Sequence, residues 1–261
     1  MPDKHPLIVF SGGMDSSFLL YKSLLEGDVH TCYIRGSQGP IKVEAELAAR
    51  KRLIEIATML TGNQVLSDTI VHIGFIETNK TTYHSTGGSY SRSEFGAFPD
   101  SSWKQAPQWM FGLGLVADGW VHSEIRMGYV MFDDINEHLP DMSKAWDYIS
   151  RFTKHHPISL KFPLSKTNKG VILENMPPEM LQKVWICELP EVNRKHQFIP
   201  CGKCPACETI LQVIWLWERR TGINFKKNLR NAVKTTRKNR LIPVPVWDEP
   251  KTISYVDHSE R

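Results

Sequence analysis

Two groups of residues have types and spacings that could do chemistry. The first is Ser11, Gly12, Gly13, Met14, Asp15, Ser16 and Ser17. Without a Cβ, Gly12 and Gly13 let their N–H groups close on an anion, and a helix starting just beyond them adds its positive end. The bland alternative is a glycine-rich turn between a strand and a helix that holds nothing. The second group is thiol. Cys187, Cys201, Cys204 and Cys207 are four of the five cysteines, and the last three form a C-x-x-C-x-x-C run. The opening "MPDKHPLIVF" has no cationic flank leading a long apolar segment, so no export signal is read and a reducing, cytoplasmic setting is expected. Disulfides are disfavoured there, and closely spaced thiols point to metal.

Two-residue spacing lets successive thiolates converge on one tetrahedral Zn²⁺. Gly202 permits the tight turn, and Cys207 enters a helix whose positive end favours thiolate. Four cysteine ligands close the coordination sphere, which makes the site structural. An iron–sulfur cluster suits the same run, although the Cys-Pro that usually completes it is absent. His196 in "NRKHQ" could stand in for Cys187, and four buried thiols without a ligand are the third reading. Cys32, inside an expected strand, reads as a core thiol.

The elements that must position these groups alternate along the chain. Ile8 to Phe10 reads as a short buried strand and Ser17 to Leu25 as a helix, leaving Ser11 to Ser16 as the connecting turn. Further strands are expected over Asp28–Ile34, Asp68–Glu77 and Ser123–Phe132. Helices are expected over Ile41–Leu60, Ala106–Trp120 and Met142–Thr153, and from Pro157 the alternation fades into short helices. The pattern is that of an α/β fold with a doubly wound, mostly parallel, Rossmann-like sheet and a small zinc-binding helical part towards the C-terminus. We divide the chain into a nucleotide-binding α/β domain over residues 1–155, a zinc-binding helical region over 156–224 and a basic tail over 225–261. The polar stretch from Thr78 to Lys104 reads as a lid or substrate loop, or else as a disordered excursion.

With 261 residues, 41% of them hydrophobic, the chain can bury a full core, and no apolar run approaches the roughly 20 residues that span a bilayer. The net charge of +4 is local: residues 225–261 hold nine Lys or Arg against four Asp or Glu. "FKKNLRNAVKTTRKNR" could track a phosphate backbone, but without interleaved aromatics for base stacking a solvated tail is the simpler reading, and a nucleic-acid partner is not expected. "LQVIWLWERR" offers apolar surface for a homodimer contact.

Taken together, the two groups carry a resemblance. "SGGMDSS" after a strand resembles the SGGxDS pyrophosphate loop (PP-loop) of N-type ATP pyrophosphatases, the adenine nucleotide alpha hydrolase-like fold. "CGKCPAC" with an upstream cysteine resembles the zinc site of one branch, the 7-cyano-7-deazaguanine synthases (QueC). Between them, "GYVMFDD", "LPDM", "FPLSKTNKGVI" and "WICE" resemble that family's elements in the same order, so the likeness runs from about residue 7 to about residue 220. The resemblance implies that Ser11, Gly12, Gly13, Met14, Asp15, Ser16 and Ser17 hold ATP, with hydroxyls as donors and Asp15 on Mg²⁺, directly or through water. It implies that Lys169 neutralises departing pyrophosphate, that Asp133 contacts substrate or metal, and that Asp15 and Ser16 take part in catalysis. Cys187, Cys201, Cys204 and Cys207 would hold structural Zn²⁺. Implied substrates are ATP, 7-carboxy-7-deazaguanine and ammonia: an acyl-adenylate forms, a nitrogen nucleophile takes the acyl group, and the product is the amide or the nitrile of queuosine biosynthesis.

There are departures. The family's Pro-x-Arg-Asn element is replaced by "WKQAPQWMF", with Pro107 and Gln108 where Arg and Asn would stand, and the arginine after Pro-Asp gives way to Met142–Lys144. A kept loop with a changed rim suits a relative that joins the deazaguanine to an amine on a partner protein, as QueC-like proteins of antiviral defence operons do. A tRNA-modifying PP-loop enzyme shares the first loop. A zinc-stabilised nucleic-acid-binding module is the reading from outside enzymes; it would need the tail and tolerate Asp15→Ala.

Overall fold

The structure, a computed structural model, describes residues 5–35, 40–73, 102–119, 124–133, 135–154, 157–193 and 197–222. Residues 74–101, most of the expected loop, lie outside the described residues, as do His196 and the basic tail.

Leu7 to Phe10 alternate sides as a strand's side chains must. Leu7 packs into one core, while Ile8 and Phe10 pack into the other. This strand, β1 (Leu7–Val9), is the centre of a five-stranded parallel sheet of order β3-β2-β1-β4-β5, completed by β2 (Val29–Arg35), β3 (Val65–His72), β4 (Glu124–Met127) and β5 (Ser159–Lys161). Ile8 aligns with Thr31 on one side and with Arg126 on the other. Covered on both faces, β2 is buried from Val29 through Ile34, and Cys32 is a core thiol whose pKa burial pushes up to about 12.

Helices α1 (Met14–Glu26) and α2 (Pro40–Thr61) cover one face, and α3 (Ser102–Gly119) and α4 (Leu139–Ser150) the other. The doubly wound fold is therefore present. Trp146 of α4 is fully buried and its indole N–H donates to the Ile158 carbonyl at 2.7 Å, tying α4 to the start of β5. The short helices α5 (Lys169–Asn175) and α6 (Pro178–Leu181), the two-stranded ribbon β6 (Glu191–Val192) and β7 (Phe198–Ile199), and α7 (Pro205–Thr221) follow. Ile172, Met180, Ile210 and Ile214 from these helices join the same core as α1 and α2.

Several boundaries differ from expectation. Helix α1 begins at Met14, because Gly13 is extended enough to cap it and the Ser17 N–H and hydroxyl both donate to the Gly13 carbonyl, at 2.9 and 2.6 Å. Asp15 and Ser16 thus belong to the helix's first turn and not to the connecting loop. Helix α4 starts three residues early because Pro140 suits a first turn. Strand β5, three residues long, lies where only short helices are expected. No helix among the described residues is long and apolar enough to cross a membrane.

Candidate active site

A parallel sheet ordered 3-2-1-4-5 changes winding direction between β1 and β4, and open α/β sheets bind ligands outside the carboxyl ends of strands at that point. Here the point is occupied by a cleft of about 690 Å³. Ser11, Gly13, Met14, Asp15 and Ser16 line it from the β1 side, Tyr129 and Asp133 from the β4 side, and Lys169 between them.

The loop after β1 is tightly folded. Ser11 and Ser16 hydroxyls are 3.1 Å apart, the Ser11 N–H donates to the Ser16 hydroxyl at 3.2 Å and the Gly13 N–H to the Ser11 hydroxyl at 3.3 Å. Gly12 sits at φ +82°, and a Cβ there would stand 3.1 Å from both the Arg50 Cγ and the Glu46 carbonyl of α2. Both conditions demand glycine. Ser17 is fully buried, and its hydroxyl bonds the Gly13 carbonyl; Met14 is buried in the core while also bordering the cleft.

Asp133, expected at a strand end, lies instead six residues past β4, in a turn where Phe132 adopts φ +72° and is 82% exposed. The Asp133 carboxylate accepts from the Val130 N–H at 3.0 Å, which orients it. Lys169 opens α5, capped by Asn168, whose side chain accepts from the Val171 N–H. The Lys169 ammonium donates to Asp15 at 2.8 Å and lies 3.3 Å from Asp133, so three residues distant in sequence converge. Burial pushes the Asp15 carboxyl up, against the pull of Lys169. Burial alone would lower the Lys169 ammonium, but the two carboxylates outweigh it and raise it. Asp15 Oδ1 is buried without a hydrogen-bond partner. A divalent cation at the cleft would satisfy that oxygen, so the donor set fits Mg²⁺.

The four cysteines converge as well. Their sulfurs all lie within 4.8 Å of one another, Cys187 being 3.5 Å from Cys201 and 4.0 Å from Cys204, and could hold a metal ion. Gly202 takes φ +71° in the turn between Cys201 and Cys204, and Cys204 caps α7 with Pro205 in its first turn. Hydrogen bonding from the Cys187 and Cys207 thiols holds Cys204 well below the ordinary thiol range, while Cys187 is pushed up by its bonds to Cys204 and Cys207. This cluster adjoins the cleft: Trp185, Ile186, Pro205 and Ala206, which flank it in sequence, line the cleft wall. The Trp185 N–H donates to the Gly12 carbonyl at 2.8 Å, and its indole N–H to the Cys187 carbonyl at 2.9 Å.

A third group escapes a reading by motif. Lys42, Glu46 and Arg50, one turn apart along α2, are all buried, at 8, 8 and 1% exposure. Lys42 pairs with Glu188 and lies 3.7 Å from Glu46, whose other oxygen accepts from the Tyr33 hydroxyl at 2.5 Å. Arg50 pairs with Asp68 and lies over the rings of Phe10 and Tyr33. The i, i+4, i+8 spacing is visible in the sequence, but such a stripe ordinarily marks a solvated helix face.

Neither a family model nor a curated protein matches this chain. Among solved structures it is similar to the U34-tRNA thiolase NcsA from Methanococcus maripaludis, determined with its [4Fe-4S] cluster, at 15% identity over 88% of this chain and 70% of that one, with a TM-score of 0.35. At that score residue roles do not transfer between the two chains.

Proposed function

We propose that this chain is an ATP-dependent enzyme that adenylates the carboxylate of 7-carboxy-7-deazaguanine and passes the acyl group to a nitrogen nucleophile. The observation that carries the reading is the Lys169 ammonium held between Asp15 and Asp133 at the mouth of the Ser11–Gly13 loop. A carboxylate oxygen of the substrate attacks the α-phosphorus, the bond from that phosphorus to the bridging oxygen breaks, and pyrophosphate leaves with the electron pair. Lys169 and the N-terminus of α1 meet the charge that grows on it. Mg²⁺ on Asp15 and Asp133 would supply further charge neutralisation there. The nucleophile then attacks the acyl carbon and AMP departs. No protein nucleophile is required. The substrate itself is proposed on the resemblance of "SGGMDSS" and "CGKCPAC".

Zinc is the metal we assign to the cysteines. Thiolates at about 2.3 Å on one tetrahedral ion stand about 3.8 Å apart, which the 3.5 and 4.0 Å separations match. Thiolates on separate irons of a cluster stand further apart. Pro107 and Gln108, in place of Arg and Asn, favour a second outcome for the acyl group: capture by an amine of a partner protein.

Mass spectrometry after incubation with the carboxy-deazaguanine, ATP, Mg²⁺ and ammonia tests the reading, with a repeat in the presence of candidate partner proteins. AMP with an amide or nitrile supports the synthase; a partner gaining the mass of the base supports conjugation. Intact ATP in every mixture removes the enzyme reading.

A further inference from the structure

Adenylation chemistry makes no use of three ionisable residues in the cleft wall, Lys42, Glu46 and Glu188. Burying Lys42 and Glu46 of α2 is unfavourable to stability, since an apolar stripe there would pack without desolvating charge, while the Glu188 side chain stays 47% exposed. They are also ordered. The Lys42 ammonium stands between two carboxylates, paired with Glu188 on one side and 3.7 Å from Glu46 on the other, and Tyr33 fixes Glu46 from behind. To a ligand this wall offers acceptor, donor, acceptor.

A planar edge complementary to it reads donor, acceptor, donor. A guanine-type base carries that sequence on the edge formed by its exocyclic N2–H, ring N3 and N9–H. The N9–H exists only in the free base, because a nucleoside or a nucleic acid has its glycosidic bond there. The adenine of ATP, glycosylated at N9 and with a C–H at position 2, cannot present it. Binding through this edge also leaves the C7 substituent, across the bicycle, free for the phosphate loop.

Resting on the proposed function for the identity of the base, we propose that Lys42, Glu46 and Glu188 form the specificity site for the N2, N3 and N9 edge of a free 7-deazaguanine, admitting the unglycosylated base and rejecting nucleosides. Isothermal titration calorimetry on the full, metal-containing chain tests it with three probes: 7-deazaguanine, its 9-methyl derivative, and 7-deazahypoxanthine, which lacks the 2-amino group. Each altered base loses one hydrogen bond to a charged group and should bind about tenfold or more weakly. Glu46→Gln and Glu188→Gln place an amide where a carboxylate accepted, and each should shrink one of the two discriminations while leaving ATP affinity in place. Equal binding of the three bases, no binding of 7-deazaguanine up to millimolar concentration, or a loss of ATP affinity in Glu46→Gln overturns the assignment. The wild-type comparison needs no variant to fold. Failure of the adenylation reading is told apart by its own signature: discrimination among the bases persists while no AMP forms from the carboxylated base.

Discussion

Lys169→Met isolates the contribution of the cation at the loop mouth, because methionine keeps most of the stem's volume and removes only the charge. In the wild type the ammonium is 2.8 Å from Asp15 and 3.3 Å from Asp133, with the three side chains 22–25% exposed. Breaking a fully buried pair costs about 3–5 kcal/mol and an exposed one about 0–1, so a site screened to this degree should lose about 2 kcal/mol, or about 4–8 °C in Tm for a chain of this size. The pH dependence has a definite sign. Asp15 already titrates above its ordinary value, so its contribution to stability is full below the unfolded carboxylate pKa and is lost as pH rises through the folded one. Removing Lys169 raises that folded pKa further and extends the loss. The Tm gap between variant and wild type should therefore be small on the acid side of the carboxylate range and widen towards neutral pH, as scanning fluorimetry across pH would record. AMP formation should fall about 10²- to 10³-fold, the scale of losing one preorganised charge contact in a transition state. An unchanged rate would refute the role at the leaving group, and a gap that widens towards acid would refute the electrostatic account.

Gly12→Ala forces a Cβ to φ +82° and within 3.1 Å of the Glu46 carbonyl, so a loss of about 2 kcal/mol in a denaturant titration is expected together with loss of ATP binding. Trp146→Phe leaves the Ile158 carbonyl without its 2.7 Å indole donor and should cost about 1–3 kcal/mol by the same titration, with ATP affinity unaltered. Elemental analysis should find one zinc per chain, and the protein should be colourless; iron with sulfide absorbance would assign a cluster instead. Chelation of that metal should weaken ATP binding, measured by calorimetry, since the cysteine segment is hydrogen-bonded to Gly12. A metal-free chain that binds ATP as tightly as the loaded one would make the cysteines a remote brace.

Much of the fold and of the site is legible in the chain because the informative features are local. A β-former run, two glycines and a helical repeat specify a βα turn without reference to anything distant, and C-x-x-C-x-x-C lets three nearby sulfurs converge by spacing alone. What is not legible depends on tertiary neighbours. β5 has three residues, too few to show a period of two. The strand expected to reach Phe132 stops at Met127, and Asp133 is carried by a turn whose strained Phe132 has no signature in its residue type. Lys42, Glu46 and Arg50 invite misreading because helical spacing reports that charges share a face and not whether that face meets water. Arg50 is accommodated only because Phe10, Tyr33 and Asp68, from three different strands or their ends, surround it.

The cysteine cluster and the phosphate loop read as separate motifs 170 or more residues apart, yet one chain segment serves both. Trp185 donates its backbone N–H to the Gly12 carbonyl and its indole N–H to the Cys187 carbonyl, so the position of Cys187 and the shape of the loop are set by the same residue. On the other side of the cluster, Cys204 caps α7 and Cys207 lies in its first turn, while Pro205, Ala206, Thr209 and Ile210 of that helix face the cleft. An ion held by Cys187 and Cys207 would therefore join the segment that supports the loop to a helix that also lines the cleft. A structural metal here would need no open coordination position to matter for the cleft: it would hold the loop's support and α7 at a fixed separation.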